Sequence, residues 1–503
     1  MKYRTGRRNS VTLIKRIARH EEWLHTTIGF VQVRREVVSI NINNIATLVR
    51  AGPTSPNIGS KYLSLSKAGQ RFRAEGILMP HLHKALSLYA ILFDILSNMK
   101  LLQLIILTIF SISSQAQTTN TYQTDLTELR NILQKTPSYK DQIKGQDLIS
   151  YNSLFERLMS DSVNSVSDYK YFYNLAQLFF PIRDNHLTFY QIANFPSAVD
   201  FPTFRGNIDS LKSVLVKKPI DSLEGIYHYD KYYTIGLFKN NKTEYVGVVL
   251  DTEISNWQKG QVAIHLYEYL PNYFKAIYAH PKFKNYILYP IERFTHHSLV
   301  NSYFYSSFSE KIYSKINSEN DFINLPKNIV DFSFKNIETG IQYLHIKHFS
   351  ADRVKMQKSK EFYDSIKNLL TEHNLILDLR NNDGGANKVS RKFLTLIKQY
   401  TKNGQVYVLI NNGTLSQGEI LTLQLKQLQN VKTLGQTTKG MLTYGSNYGK
   451  REKLPSQSFE VYITDMKGDK RLIPYENYGI NPDIVLLDKK DWIEQVIEII
   501  RKK

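Results

Sequence analysis

Apolar positions recur at three-to-four-residue spacing from Thr124 to about Phe180. Leu126, Leu129, Ile132 and Leu133 form one run, Leu154 and Leu158 a second, and Tyr171, Phe172, Leu175 and Leu178 a third. That period belongs to helices that bury one face, and Pro137 and Gly145 mark the breaks between them. The helical stretch ends in the segment Pro181-Ile-Arg-Asp-Asn-His186-Leu-Thr-Phe-Tyr190.

From about Gly225 to Phe334 the chain is rich in Tyr, Phe and β-branched residues. Tyr232 to Phe238 and Glu244 to Leu250 alternate around Asn240-Asn241, which predicts a hairpin. Gly260 to Leu270 reads as another strand, whereas Tyr303 to Tyr313 has no decisive period. Beyond residue 340 the pattern switches back and forth. Strands are expected at Gln342–Ile346, Asn374–Leu379 and Gln405–Ile410, and helices at Ser359–Glu372, Lys388–Tyr400 and Gln417–Gln429. Such alternation implies a mainly parallel α/β layer, with functional loops at the strand ends.

Composition narrows the class. Of 503 residues, 42% are hydrophobic and 22% charged, which excludes disorder, collagen-like repeats and polytopic membrane architecture. With no cysteine there are no disulfides, thiolate metal sites or thiol nucleophile. The net charge of +20 invites a nucleic-acid partner, but its distribution argues otherwise. Up to Asn98 there are 15 Lys and Arg against 5 Asp and Glu. Met99-Lys100 then leads into the apolar run Leu101–Ile112 and Ser113-Ser114-Gln115-Ala116-Gln117, the pattern of a secretory signal peptide. The run is too short to span a membrane. The reading is that Met99 is the true start, 1–98 an upstream extension foreign to the native protein, and 99–116 a cleaved signal. A mature chain from Gln117 would carry 49 basic and 40 acidic residues, a surplus that points to no nucleic acid. Export to the periplasm or beyond, with no lasting membrane anchor, is expected.

Ser416 falls where an apolar strand gives way to a helix. A hydroxyl there lies at a sheet edge, beside helix N-terminal amides that favour developing negative charge. An N-capping serine would sit in the same place. Four motifs occur in order: Asp378-Leu-Arg-Asn-Asn-Asp-Gly384-Gly385, Thr414-Leu-Ser416-Gln-Gly-Glu419, Gly435-Gln-Thr-Thr438, and Gly479-Ile-Asn-Pro482-Asp483-Ile484. This series resembles the tail-specific (C-terminal-processing) and tricorn-core serine peptidases over about residues 340–490, and more loosely over 125–190.

The resemblance implies a Clp-protease/crotonase-like fold for the α/β core at 336–503; the apolar pattern before it gives a helical domain at 117–220 and a β-rich middle region at 221–335. It makes Ser416 the nucleophile. The processing branch uses a lysine 25 residues later, where this chain has Met441; Lys439, two residues earlier, is the alternative base. The tricorn-like branch uses serine, histidine and glutamate, and Asp184-Asn185-His186 and Tyr475-Glu476 resemble its other two motifs. His186 would then serve as general base, and Glu476 would hold the site in working geometry by direct or serine-mediated hydrogen bonding. Backbone N–H groups of Gly384 or Gly385 and of Gln417 would form the oxyanion hole. Asp378 and Arg380 read as a structural ion pair. No segment resembling a PDZ module is found.

Ser64-Leu-Ser-Lys67 matches Ser-x-x-Lys without its companion motifs, and His296-His297 lacks metal-ligand spacing. No cofactor or metal is therefore expected. The leading reading is a secreted, cofactor-independent serine peptidase acting on peptides or unfolded protein. The alternatives are a peptidase-fold protein that binds peptides or acts as a scaffold without turnover, and nucleic-acid binding by the basic region up to Asn98, which requires that region to be translated and folded.

Overall fold

Helices initiate where polar side chains can satisfy their first amides. The computed structural model describes residues 121–502, apart from 164, 194–200, 310, 318–320 and 327. The segments 1–98 and 99–116, with Ser64 and Lys67, lie outside the described residues. Residues 121–135 form α1. Thr136 caps α2 (Pro137–Gln142), α3 covers Gln146–Met159, and Asp168 caps α4 (Tyr169–Gln177) through its carboxylate to Lys170 N–H. The three-to-four spacing is accounted for: Leu126, Leu129, Leu133, Leu158, Phe172 and Leu175 are all buried.

Strand β1 (Thr188–Gln191) follows, then α5 (Ile208–Leu215). An antiparallel meander comes next: β2 (Gly225–Tyr229), β3 (Tyr233–Lys239), β4 (Glu244–Thr252), β5 (Val262–Leu270), β6 (Tyr273–Ala279), β7 (Tyr286–Thr295) and the short β8 (Ser298–Leu299). The hairpin expected at Asn240-Asn241 is β3–β4. Strands β6 and β7 escaped sequence reading. Strand β1 joins this sheet beside β7. Its aromatic side chains stack in a shared core with α4, Phe172 and Phe189 lying 4.8 Å apart.

The second sheet holds the motifs. Strand β9 (Phe332–Glu338) pairs antiparallel with β10 (Ile341–Ile346) at its edge. Helix α6 follows at Arg353–Ile366, earlier than the expected Ser359–Glu372, because Asp352 caps it through Val354 and Lys355 N–H. Then come β11 (Asn374–Asp378), α7 (Asn387–Tyr400), β12 (Gln405–Ile410), α8 (Gln417–Lys426) and β13 (Val431–Gly435). Strands β14 (Arg451–Lys453) and β15 (Phe459–Tyr462) return to the first sheet, where β15 pairs with β1. A 3₁₀ turn at Lys470–Tyr475, β16 (Ile484–Val485) and α9 (Trp492–Arg501) complete the chain.

The second sheet has the order β16-β13-β12-β11-β10-β9, parallel except at β9. Alternate residues serve two faces. Leu375, Leu377, Val406, Val408 and Ile410 pack with Phe393, Ile397, Leu421 and Leu425. Ile376, Tyr407, Leu409 and Leu434 pack beneath Trp492 and Val496. This is the α/β class with a β-rich region that the strand–helix alternation implied. The loops after β11 and β12 emerge side by side at the carboxyl edge, the customary place for a site in such a sheet.

Candidate active site

Strand β12 delivers Asn411 to a tight connection that ends at Ser416, the N-cap of α8. Thr414 Oγ1 donates to Leu379 O at 2.7 Å, and Asn411 Oδ1 accepts from Asn381 N–H at 2.9 Å, so the loops after β11 and β12 are knitted together. An ordinary N-cap has an extended backbone. Ser416 instead has φ 53° and ψ −118°, a conformation that costs a non-glycine residue on the order of 1–3 kcal/mol. Strain of that kind turns the serine of a strand-to-helix elbow outward.

Gly384 lies against this serine. A Cβ at Gly384, where φ is +70°, would meet Ser416 Cβ at 2.7 Å and Leu415 O at 2.9 Å. Gly385, at φ +132°, is pressed against Phe349 O, which a Cβ would meet at 2.1 Å. Only glycine fits either position. The N–H groups differ in availability. Gly384 N–H donates to Asn382 Oδ1 at 3.0 Å, whereas those of Gly385 and Gln417 have no acceptor among the described residues.

Two buried carboxylates organise the rest. Glu419 accepts from Thr438 Oγ1 at 2.6 Å, Gly440 N–H at 2.7 Å, Met441 N–H at 2.9 Å and Ser416 N–H at 3.1 Å. Glu476 accepts from Thr443 N–H at 2.7 Å, Asn185 N–H at 2.8 Å and Leu442 N–H at 3.0 Å. The serine turn and the histidine loop are therefore pinned to consecutive parts of one segment, Thr438–Thr443. Glu419 was not singled out from sequence, although Ser416-x-x-Glu419 has the spacing of a capping box. Burial raises Glu419 above the usual carboxylate range. Burial and the neighbouring Asp184 carboxyl push Glu476 up to about 8, against the pull of its three N–H donors.

His186 stands on the loop between α4 and β1. Its N–H donates to Asp184 Oδ1 at 3.1 Å, and Asp184 Oδ2 accepts from Thr464 Oγ1 at 2.7 Å. Burial lowers the imidazole to about 4, so the ring is neutral and can accept a proton. Neither ring nitrogen has a hydrogen-bond partner among the described residues, and Nδ1 is buried. Glu476 thus holds the backbone of the histidine loop; no hydrogen bond joins it to the imidazole, and none joins Ser416 to His186. Potential ligand atoms of Asp184, His186 and Glu476 lie within 4.8 Å of one another. Both carboxylates already accept protein donors, which makes them anchors first and leaves a metal only the remaining lone pairs and the imidazole.

Lys439 donates its backbone N–H to Thr414 O at 3.1 Å. Burial pulls its ammonium down to about 8, while Glu292 and Glu419 oppose that fall. It makes no hydrogen bond to Ser416. Asp378 and Arg380 form a buried ion pair at 2.7 Å, with Tyr343 OH donating to Asp378 at 3.0 Å. His296 and His297 face different carboxylates, Asp488 at 3.7 Å and Asp221 at 3.3 Å.

Residues 387–486 match the family model of peptidase family S41. The matched stretch lies within the α/β core; it takes in Ser416, Lys439 and Glu476 and leaves out His186, Gly384 and Gly385. No curated protein matches the chain. Among solved structures, a lipoprotein from Streptococcus agalactiae is similar at 20% identity and TM-score 0.24, over 34% of this chain and 69% of its own. The tricorn protease is similar at 22% identity and TM-score 0.25, over 32% of this chain and 18% of its own. The photosystem II D1 C-terminal processing protease is similar at 12% identity and TM-score 0.33, over 75% and 97%. Likenesses this distant say nothing about chemistry, which rests on the side chains described above. Among the described residues no helix is long and apolar enough to cross a membrane.

Proposed function

We propose that the protein is a serine endopeptidase or processing peptidase that cleaves peptides or unfolded protein through an acyl-enzyme on Ser416. The observation that carries this reading is the strained Ser416 turn flanked by two unoccupied N–H groups, those of Gln417 and Gly385. In this reading His186, neutral at physiological pH, removes the hydroxyl proton as Oγ attacks the scissile carbonyl. The resulting oxyanion takes the N–H groups of Gln417 and Gly385, while Gly384 N–H stays with Asn382. The imidazolium then protonates the leaving amine, and water repeats the sequence to release the acid. Glu476 and Glu419 are positioning residues. Approach of the two loops when substrate binds would make the Ser416–His186 hydrogen bond, since such contacts tighten in the complex.

Cleavage of a mixed peptide library by the full chain, lost in both Ser416→Ala and His186→Ala, is the expected result. Cleavage that survives either substitution refutes the assignment. A second reading, peptide binding without turnover, is favoured by the unpartnered imidazole and by Met441 at the lysine position; a library bound but uncut by the wild type would establish it. Export through a signal peptide beginning at Met99 is part of the proposal. N-terminal sequencing of the natural protein should then begin near Gln117, and a start upstream of Met99 would contradict it.

A further inference from the structure

Lys275 lies on β6 with only 4% of its surface exposed, yet it has no carboxylate, carbonyl or hydroxyl partner among the described residues. Lysine is almost never buried unpaired. Its ammonium stands 5.0 Å from the ring centroid of Tyr269, whose own hydroxyl is buried without a partner. The charge it senses is another cation, the Arg183 guanidinium. That group makes no ion pair or hydrogen bond among the described residues, and Arg183 is three positions before His186. By contrast, the terminal nitrogens of Arg293 are engaged, donating to Thr438 O at 2.7 Å and Tyr478 O at 3.2 Å, although its Nε is buried without a partner among the described residues.

The placement of these groups is informative. Along β6, Tyr273 and Lys275 share a face, and Tyr273 packs on Tyr478, with ring centroids 5.7 Å apart. Tyr478 is two residues beyond Glu476, so this face of the ten-stranded sheet fronts the loop that holds the histidine. The Lys275 ammonium, pulled down to about 7 by burial and by the Arg183 guanidinium, lies against Tyr269, and none of these three polar groups has an acceptor among the described residues. Unpaired donors and like charges held in a low-dielectric place are stabilised by an incoming anion. A planar carboxylate would accept from both the ammonium and the guanidinium.

We propose that Lys275, Arg183 and the Tyr269 hydroxyl form a subsite that receives a carboxylate of the peptide substrate, adjacent to the bond cleaved at Ser416. This rests on the peptidase reading and names its substrate class: peptides bearing a carboxylate, either a glutamate side chain or a free C-terminus, at a fixed position from the scissile bond.

The test uses four peptides of one cleaved sequence, with Glu or Gln at the candidate position and a free or amidated C-terminus. For the wild type, kcat/KM should favour one carboxylate peptide over its neutral partner by at least tenfold, mainly through KM. The pair that shows the ratio identifies the source of the carboxylate. In Lys275→Met the ratio should fall towards one, and Arg183→Gln, a more exposed position, should shift it in the same direction if Lys275→Met does not fold. Ratios near one in the wild type, or ratios that persist in the folded variants, overturn the proposal. Fluorescence anisotropy of the same labelled peptides on Ser416→Ala reads the subsite without turnover. A carboxylate preference there, together with a wild type that cuts none of the four peptides, would sink the peptidase reading while leaving the subsite standing.

Discussion

Replacing Glu419 by glutamine keeps shape and removes one acceptor oxygen. The carboxylate receives four donors, from Thr438, Gly440, Met441 and Ser416. A glutamine oxygen can serve one pair, and its NH₂ then faces the other pair as donor against donor. Hydrogen bonds to a charged group contribute about 1.5–3 kcal/mol each, so two lost bonds amount to about 3–6 kcal/mol. Removing a buried charge offsets part of this, leaving about 2–4 kcal/mol. Native-state amide exchange measures that local loss directly. In Glu419→Gln, exchange at Gly440 and Met441 should quicken by roughly 100-fold, the equivalent of about 3 kcal/mol. Labelling of Ser416 by a fluorophosphonate probe should fall with it. Glu476→Gln provides the spatial control, because its effect should appear at Asn185, Leu442 and Thr443 instead. Unchanged exchange at Gly440 and Met441 in a variant that folds would refute the view that Glu419 clasps the serine turn.

Other outcomes follow from the same geometry. Gly384→Ala places a methyl 2.7 Å from Ser416 Cβ at a positive φ; it should lower stability by at least about 1–3 kcal/mol in denaturant melts and abolish probe labelling. His186 sits at about 4 in the folded protein against an ordinary 6.5, so the unfolded chain binds more protons between those values and stability falls as pH drops through that window. Wild type should therefore lose about 3 kcal/mol more than His186→Gln between pH 7 and pH 4. The opposite trends from Asp184 and Glu476, whose raised values make stability fall as pH rises, largely cancel between the two proteins. Lys439→Met should retain peptide cleavage if His186 is the base; complete loss in a folded variant would transfer that role to the lysine.

The parallel core was readable because its strands are short, apolar and bounded by Asn and Gly clusters, and its helices alternate with them. Helix α6 was misplaced by six residues at its start because the Asp352 cap outweighs a weak apolar period over Arg353–Lys358. Strands β6 and β7 escaped because they are buried on both faces, which removes the alternation that marks a half-exposed strand. Among site residues, Ser416 and the glycines were singled out by four motifs in order and the family resemblance they carry, because the strand-to-helix junction alone fits an N-cap equally well. The role of Glu419 was hidden in a capping box, a motif whose bland meaning is common. Lys275 gave no signal, since an unpaired buried lysine can be recognised only after the fold shows that nothing faces it.

The central claim is that the strained Ser416 is an activated nucleophile. The most direct measurement is tryptic mass mapping of the full chain after exposure to a fluorophosphonate probe. The account expects a single covalent adduct on Ser416, absent from Ser416→Ala and from His186→Ala. No adduct, or an adduct on Ser416 that forms equally well without His186, would contradict it.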